Sequence, residues 1–150
     1  MPLRLNTPMP ALAGATEWLP AAPAREELAG HPVLVYFWAV SCHICHERMP
    51  ALHALRERYA PQGLRLVAIH MPRQESDTDV AAVREEITAL GIADPCAIDN
   101  EHALADAFEN RFLPAFFLFD REGRLRSRAA GDAGIGMLEG ALAKEFAPAA

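Results

Sequence analysis

The alternation of apolar and polar segments along the chain predicts a succession of strands and helices. Residues 33–38 and 115–119 are uninterrupted apolar runs rich in β-branched or aromatic side chains, which is typical of strands buried on both faces of a sheet. Residues 64–70 and the shorter stretch 94–98 are further strand candidates. Residues 124–129 alternate in polarity, as an exposed edge strand does.

Between these strands, apolar residues recur at helical spacing. In the first helix Pro50 removes a backbone hydrogen bond and should kink the helix after two turns. The second helix has an N-cap candidate in Ser76 or Asp77 and ends at Gly91, and Asp99 or its neighbour can cap the third. The predicted helices cover residues 43–59, the stretch up to residue 90, residues 101–110 and residues 134–146.

This order of elements predicts an α/β sandwich with a mixed sheet. The first strands should be parallel because helices connect them, and the final hairpin should be antiparallel. A chain of 150 residues makes one domain, 1–150, with a core over about 26–146. Residues 1–30 should form an N-terminal extension, either a short hairpin or an irregular cover, with Trp18 and Leu19 as its apolar anchors.

Composition and charge narrow the range of partners. The formal net charge of −6 disfavours nucleic acid and anionic membrane surfaces. No apolar run approaches the length of a membrane span, and residues 1–8 lack the basic and apolar segments of a signal peptide. We therefore expect a cytoplasmic monomer with no membrane partner.

Two of the three cysteines lie where the first buried strand turns into a helix. Cys42 is placed at the helix N-terminus, where unpaired backbone N–H groups and the helix dipole stabilise an anion, so its thiol should ionise readily. Cys45 lies three residues further on and shares a helix face with Cys42, so the two sulfurs can form a disulfide. In a reducing compartment this spacing indicates catalysis or metal binding.

The motifs around these cysteines resemble the thioredoxin-like superfamily. Phe37-Trp38-Ala39 precedes a Cys-x-x-Cys, a proline lies in the first helix, and Pro114 opens a late apolar strand before an Asp-x-x-Gly turn. The strand and helix inserted around Cys96 resemble the TlpA-like or redoxin branch. The resemblance implies a three-layer α/β/α sandwich around a central mixed sheet, with the strand-helix unit inserted.

The resemblance also implies a function, which is that of a thiol–disulfide oxidoreductase. Cys42 would be the attacking thiol and Cys45 the resolving thiol, and a cis Leu113–Pro114 peptide bond would pack against the sulfurs and position the substrate. The substrates would be protein disulfides or dithiols, with an upstream redox partner. No cofactor or metal is expected, because the dithiol is the redox centre. The residues expected to contact substrate are Leu113, His43, Ile44 and Trp38.

Two positions depart from the family pattern. Tyr36 stands where thioredoxin has a buried aspartate, and Arg48 stands where some TlpA-like proteins have a glutamate. The group that takes the proton of Cys45 is therefore open. The candidates are Glu47, His46, Glu75 and water.

The same motif also leaves three alternative functions to consider, which are haem attachment, zinc binding and binding without catalysis. Cys42-His43-Ile44-Cys45-His46 matches the Cys-x-x-Cys-His signature of covalent haem attachment, but that use requires export and a fold that buries haem. A zinc site would need a second ligand pair at zinc-finger spacing, which the sequence lacks. A non-catalytic binding domain would keep the fold without the exchange reaction.

Two further residues with reactive side chains are assigned structural places. Cys96, in the strand candidate 94–98, is expected to be a small buried apolar residue. His70 ends the strand 64–70 and is expected to face a loop, away from the cysteines.

Overall fold

The computed structural model describes residues 3–148, in which a six-stranded sheet is packed between helices. The strands are β1 (Glu17–Leu19), β2 (Val33–Trp38), β3 (Arg65–His70), β4 (Cys96–Ile98), β5 (Ala115–Phe119) and β6 (Leu125–Ala130). The α-helices are α1 (Arg25–Leu28), α2 (His43–Tyr59), α3 (Val80–Leu90), α4 (Ala103–Ala107) and α5 (Gly134–Glu145), and short 3₁₀ turns cover Ala60–Gln62 and Glu75–Thr78.

The strands lie in the order β1-β4-β3-β2-β5-β6. Strands β2, β3 and β4 are parallel and are connected through α2 and α3, whereas β1 and β5 run antiparallel to their neighbours β4 and β2. Strand β6 forms an antiparallel pair with β5 at the edge of the sheet. The predicted mixed sheet, with a parallel first half and a final antiparallel hairpin, is confirmed.

The two faces of β2 carry different parts of the core. Tyr36 and Trp38 face α2, where they line a small apolar cavity together with Cys45. Phe37 points to the opposite face and packs edge-on against Phe108, with the ring centroids 5.5 Å apart. Phe108 is the C-cap residue of α4, so this helix covers one face of the sheet, while α2 and α5 cover the other.

Of the two alternatives expected for the N-terminal extension, the structure has an irregular cover and no hairpin among residues 3–30. Strand β1 pairs with β4 instead, which buries Leu19 to 8% exposure and leaves Trp18 half-buried. Ahead of it, Asn6 and Thr7 exchange backbone hydrogen bonds with Leu125 at the start of β6. The extension thus protects an edge of the sheet at each side.

Two helix starts differ from the prediction. Helix α3 is capped by Asp79, whose carboxylate accepts the Ala81 N–H at 3.0 Å, and the predicted caps Ser76 and Asp77 lie in the preceding 3₁₀ turn. Helix α4 is shorter than predicted, although the carboxylate of Asp99 does accept backbone N–H groups of its first turn. Helix α2 continues through Pro50 to its predicted end at Tyr59.

We predict that Phe108→Ala lowers the free energy of unfolding by about 3–5 kcal/mol, because the side chain is fully buried among the rings of Phe37, Phe117 and Phe119. Urea denaturation measures this change. Phe112→Ala is the matched control, since Phe112 is 67% exposed, and its effect should stay within about 0.5 kcal/mol. Equal effects of the two variants would contradict the assignment of Phe108 to the core.

Candidate active site

The two cysteines of the motif form a disulfide at the N-terminus of α2. Cys42 is the N-cap residue, and its Sγ accepts the backbone N–H of Cys45 at 3.1 Å. The Cα atoms of the pair are 5.3 Å apart. The predicted position of Cys42 at the helix start is therefore found in the structure, and a thiolate there would receive a hydrogen bond and the favourable end of the helix dipole.

The surface beside the disulfide comes from the residues between the cysteines. Cys42 and Cys45 are 2% and 3% exposed, so burial does not distinguish the two sulfurs in the disulfide form. Ile44 is 37% exposed. The His43 imidazole lies in solvent, with its Nε2 3.2 Å from Oε1 of Glu47 one turn further along the helix.

Pro114 lies on the other side of the disulfide and follows a cis peptide bond from Leu113. It lines a small apolar cavity with Cys45, so the structure brings Pro114 and the motif together. Leu113 is largely buried, at 9% exposure. Trp38 lines the same cavity as Cys45 and is 1% exposed, so it is buried beside the motif and is not available for the direct substrate contact expected from the sequence.

The loop that leads into Cys42 is held by the last residue of β3 and by residues that follow that strand. The N–H of Val40 donates to Nε2 of His70 at 3.1 Å. The carboxylate of Asp77 accepts the Ser41 N–H at 3.1 Å and its hydroxyl at 2.6 Å, and the guanidinium of Arg73 donates to the Ser41 carbonyl at 3.0 Å. We call His70, Arg73 and Asp77 the loop clamp.

His70 does face a loop, but this loop is the one before Cys42, so the expectation that His70 lies away from the active site is wrong. Its side chain is fully buried, packs edge-on against Trp38 at 4.8 Å between ring centroids and contacts the loop before Cys42. Burial lowers the pKa of His70 to about 4. The imidazole is therefore neutral near pH 7, and because Nε2 accepts the Val40 N–H, the proton belongs on Nδ1.

Asp77 is a buried anion beside the motif. Burial alone would raise the pKa of Asp77, which is 1% exposed, but hydrogen bonds from Ser41 and from the Arg73 N–H lower it below its usual value. Sequence reasoning missed this role, since an aspartate before a helical stretch looks like an N-cap. Its partner Ser41 is 36 residues away along the chain, and helical spacing carries no signal for such a contact.

A second buried carboxylate lies near the position where thioredoxin has its aspartate. Tyr36 occupies that position, and its hydroxyl donates to Oδ2 of Asp94 at 2.7 Å. Arg56 of α2 binds both oxygens of the same carboxylate. Burial raises the pKa of Tyr36 well above its usual value, so the phenol stays protonated. The Asp94 carboxylate is thus held in an ion pair with Arg56, and it also accepts the hydrogen bond of Tyr36.

The predicted acceptors of the Cys45 proton lie outside the cavity that Cys45 lines. Glu47 is turned towards His43 on the surface. Nδ1 of His46 is 3.9 Å from a carboxylate oxygen of Glu86. Glu75 lines a separate cleft beside residues 71–74.

The third cysteine has the structural place predicted for it. Cys96 is fully buried in β4 and forms no disulfide. Burial raises the pKa of its thiol to about 12, although the Trp38 indole lies against the sulfur and acts in the opposite direction. An inaccessible, protonated thiol is a poor nucleophile.

Within residues 3–148, no cluster of three or more His, Cys, Asp or Glu side chains has an arrangement that could bind a metal ion. None of the helices in that same range combines the length and the apolar character that spanning a bilayer requires.

Comparisons with known proteins agree with this geometry. The chain belongs to the AhpC/TSA family, whose model matches residues 23–128. It is 44% identical over 138 residues to the thiol-disulfide oxidoreductase YkuV of Bacillus subtilis, which covers 91% of this chain and 93% of that protein. It is 29% identical over 119 residues to the thiol-disulfide oxidoreductase ResA of Bacillus thuringiensis, covering 79% of this chain and 66% of that protein.

Among solved structures, the chain superposes on a thioredoxin-like protein in the oxidised form with a TM-score of 0.86 and 42% identity. The match covers 97% of this chain and 98% of the other. The predicted thioredoxin-like fold and redoxin relationship are confirmed, and the Cys42–Cys45 disulfide fits a Cys-x-x-Cys redox site.

We predict that His70 causes the free energy of unfolding to fall as the pH is lowered. Because its pKa is depressed in the folded protein to about 4, the unfolded chain binds the extra proton first, and lowering the pH from 7 to 4 should remove about 3 kcal/mol of stability. Denaturant unfolding across this range measures the loss. His70→Gln keeps an acceptor for the Val40 N–H. Its loss of stability between pH 7 and pH 4 should be smaller by about 3 kcal/mol.

The matched control is His43→Gln, because the His43 side chain is 87% exposed. Its stability should follow the same pH profile as the unsubstituted protein. An unchanged profile in His70→Gln would show that His70 is not the group that titrates.

Proposed function

We propose that this protein is a thiol–disulfide oxidoreductase that exchanges its Cys42–Cys45 pair with disulfides or dithiols of protein substrates. The observation that carries the proposal is the disulfide at the N-terminus of α2, with Cys42 as N-cap. The 44% identity to a thiol-disulfide oxidoreductase over nearly the whole chain supports it.

The reaction consists of two exchanges. The Cys42 thiolate attacks one sulfur of a substrate disulfide, so a mixed disulfide forms and the substrate's other sulfur leaves as a thiolate that takes up a proton. Cys45 then loses its proton and attacks Sγ of Cys42. The Cys42–Cys45 bond forms, the mixed bond breaks, and two electrons have passed from the enzyme to the substrate; the reverse sequence oxidises a dithiol.

Cys42 is assigned as the attacking residue because it has the better-stabilised thiolate. Its sulfur accepts the Cys45 N–H and lies at the positive end of a 17-residue helix, whereas Cys45 lies one turn inside. The exposed His43 imidazole would add positive charge at this surface when it is protonated.

The substrate is proposed to lie as an extended segment across Pro114 and the exposed face of the motif. Pro114 reaches the cavity beneath the disulfide, and Ile44 and His43 provide the accessible side chains beside it. Leu113, which directly precedes Pro114, would border the same substrate segment. An upstream redox partner that restores the dithiol or the disulfide would use the same face, since there is one disulfide to exchange.

We predict that Cys42→Ser and Cys45→Ser each abolish the redox couple, because each removes one sulfur of the pair. Cys45→Ser should in addition accumulate mixed disulfides through Cys42, since the resolving step is lost. Equilibration with glutathione, followed by thiol alkylation and mass spectrometry, measures both effects.

Cys96→Ala is the matched control, because its thiol is fully buried. This variant should keep the two-electron couple. Mixed disulfides that accumulate on Cys42→Ser instead of Cys45→Ser would reverse the assigned roles, and a native protein in which Cys42 and Cys45 form no reversible disulfide would overturn the function. The predicted cytoplasmic location and monomeric state stay predictions.

A further inference from the structure

We propose that Asp77 and Arg73 tune the reactivity of Cys42 in opposite directions through the Val40–Ser41 loop, while His70 fixes the loop without contributing charge. The proposal rests on the function proposed above and assigns positioning residues to the same site. These residues lie at the end of β3 and on the segment that follows it, outside the cysteine motif.

The loop clamp occupies the peptide groups that lead directly into the nucleophile. The N–H of Val40 binds His70, and the next N–H, of Ser41, binds Asp77. The Ser41 carbonyl, which belongs to the peptide group joined to the nitrogen of Cys42, accepts a hydrogen bond from Arg73. Three backbone groups before Cys42 are thus bound by side chains, which orients the N-cap residue.

Asp77 and Arg73 bring opposite charges to this loop under different degrees of solvation. Asp77 is 1% exposed and its carboxylate accepts three hydrogen bonds, so it is a buried anion that solvent screens weakly. Arg73 is exposed, so its positive charge is screened more strongly. The effect of Asp77 should therefore be the larger of the two.

Other titratable groups near the loop must be considered. Burial gives His70 a pKa of about 4, so it carries no charge at neutral pH. Glu75 lies in the same 3₁₀ turn as Asp77 and faces solvent. Behind His70, Cys96 contacts its backbone and the Asp99 N–H donates to its carbonyl. On the other side of the segment, Nε2 of His102 is 2.8 Å from the Pro72 carbonyl oxygen, and Asp106 and Arg111 line the same cleft as Arg73. Helix α2 contributes His43, His46 and Glu47.

Electrostatics gives the direction in which each charge shifts the acidity of the Cys42 thiol. A buried anion near Cys42 disfavours its thiolate, so removing the charge of Asp77 should make the thiol more acidic and stabilise the dithiol relative to the disulfide. Removing the charge of Arg73 should do the reverse. Loosening of the loop, in contrast, would shift both variants in the same direction.

The test compares Asp77→Asn with Arg73→Gln, which remove the charges and keep polar side chains of similar size. The pH dependence of Cys42 alkylation reports the thiol's acidity, and equilibration with glutathione reports the dithiol–disulfide balance. Asp77→Asn should lower the pKa of Cys42 and shift the balance about three- to tenfold towards the dithiol. Arg73→Gln should shift it about two- to threefold towards the disulfide.

Control variants separate charge from hydrogen bonding. Ser41→Ala removes the hydroxyl contact with Asp77 and changes no charge, so it should leave the balance within about twofold of the native value. Arg73→Lys keeps the positive charge and should restore the native balance that Arg73→Gln loses. If Asp77→Asn does not fold, the comparison of Arg73→Lys with Arg73→Gln tests the proposal. An equal dithiol–disulfide balance in these two variants would overturn it.

Shifts of Asp77→Asn and Arg73→Gln in the same direction, or no shift in folded variants that still form the Cys42–Cys45 disulfide, would overturn the inference alone. A native protein without a reversible couple would instead overturn the proposed function. The two failures are therefore distinguishable in one set of titrations.

Discussion

The redox site depends on one junction, where β2 ends and α2 begins. Strand β2 is buried along its whole length, at the centre of the sheet, so the position of its last residue is fixed by pairing with β3 and β5. Four residues later Cys42 caps α2 and accepts the N–H of Cys45. A rigid strand and a helix N-terminus together place a sulfur where negative charge is favoured.

The loop across that junction cannot be held by regular secondary structure. The loop clamp binds the N–H groups of Val40 and Ser41 and the Ser41 carbonyl instead, and the chain supplies it from the last residue of β3 and the segment that follows. Because β3 is the parallel neighbour of β2, both strands end at the same edge of the sheet, and side chains at and after the end of β3 reach the loop that follows β2. Parallel topology thus brings a histidine, an arginine and an aspartate to the cysteine motif.

The core behind the disulfide departs from the thioredoxin pattern at Tyr36. Where thioredoxin has a buried aspartate, this chain has Tyr36, and the carboxylate comes from Asp94. Arg56 is paired with that carboxylate, so it is held in an ion pair. An ion pair with satisfied hydrogen bonds costs less to bury than an isolated carboxylate.

The sequence by itself determined the α/β order, the bounds of β2 and α2 and the position of Cys42 at a helix start, because these follow from local hydrophobic periodicity and from the spacing of two cysteines. Only the tertiary structure decided that His70 is buried against Trp38 and contacts the loop before Cys42, and that Asp77 binds Ser41 instead of capping α3. These roles depend on contacts between residues about 30 or more positions apart. Hydrogen bonding and burial at that separation are set by strand order, which local patterns do not contain.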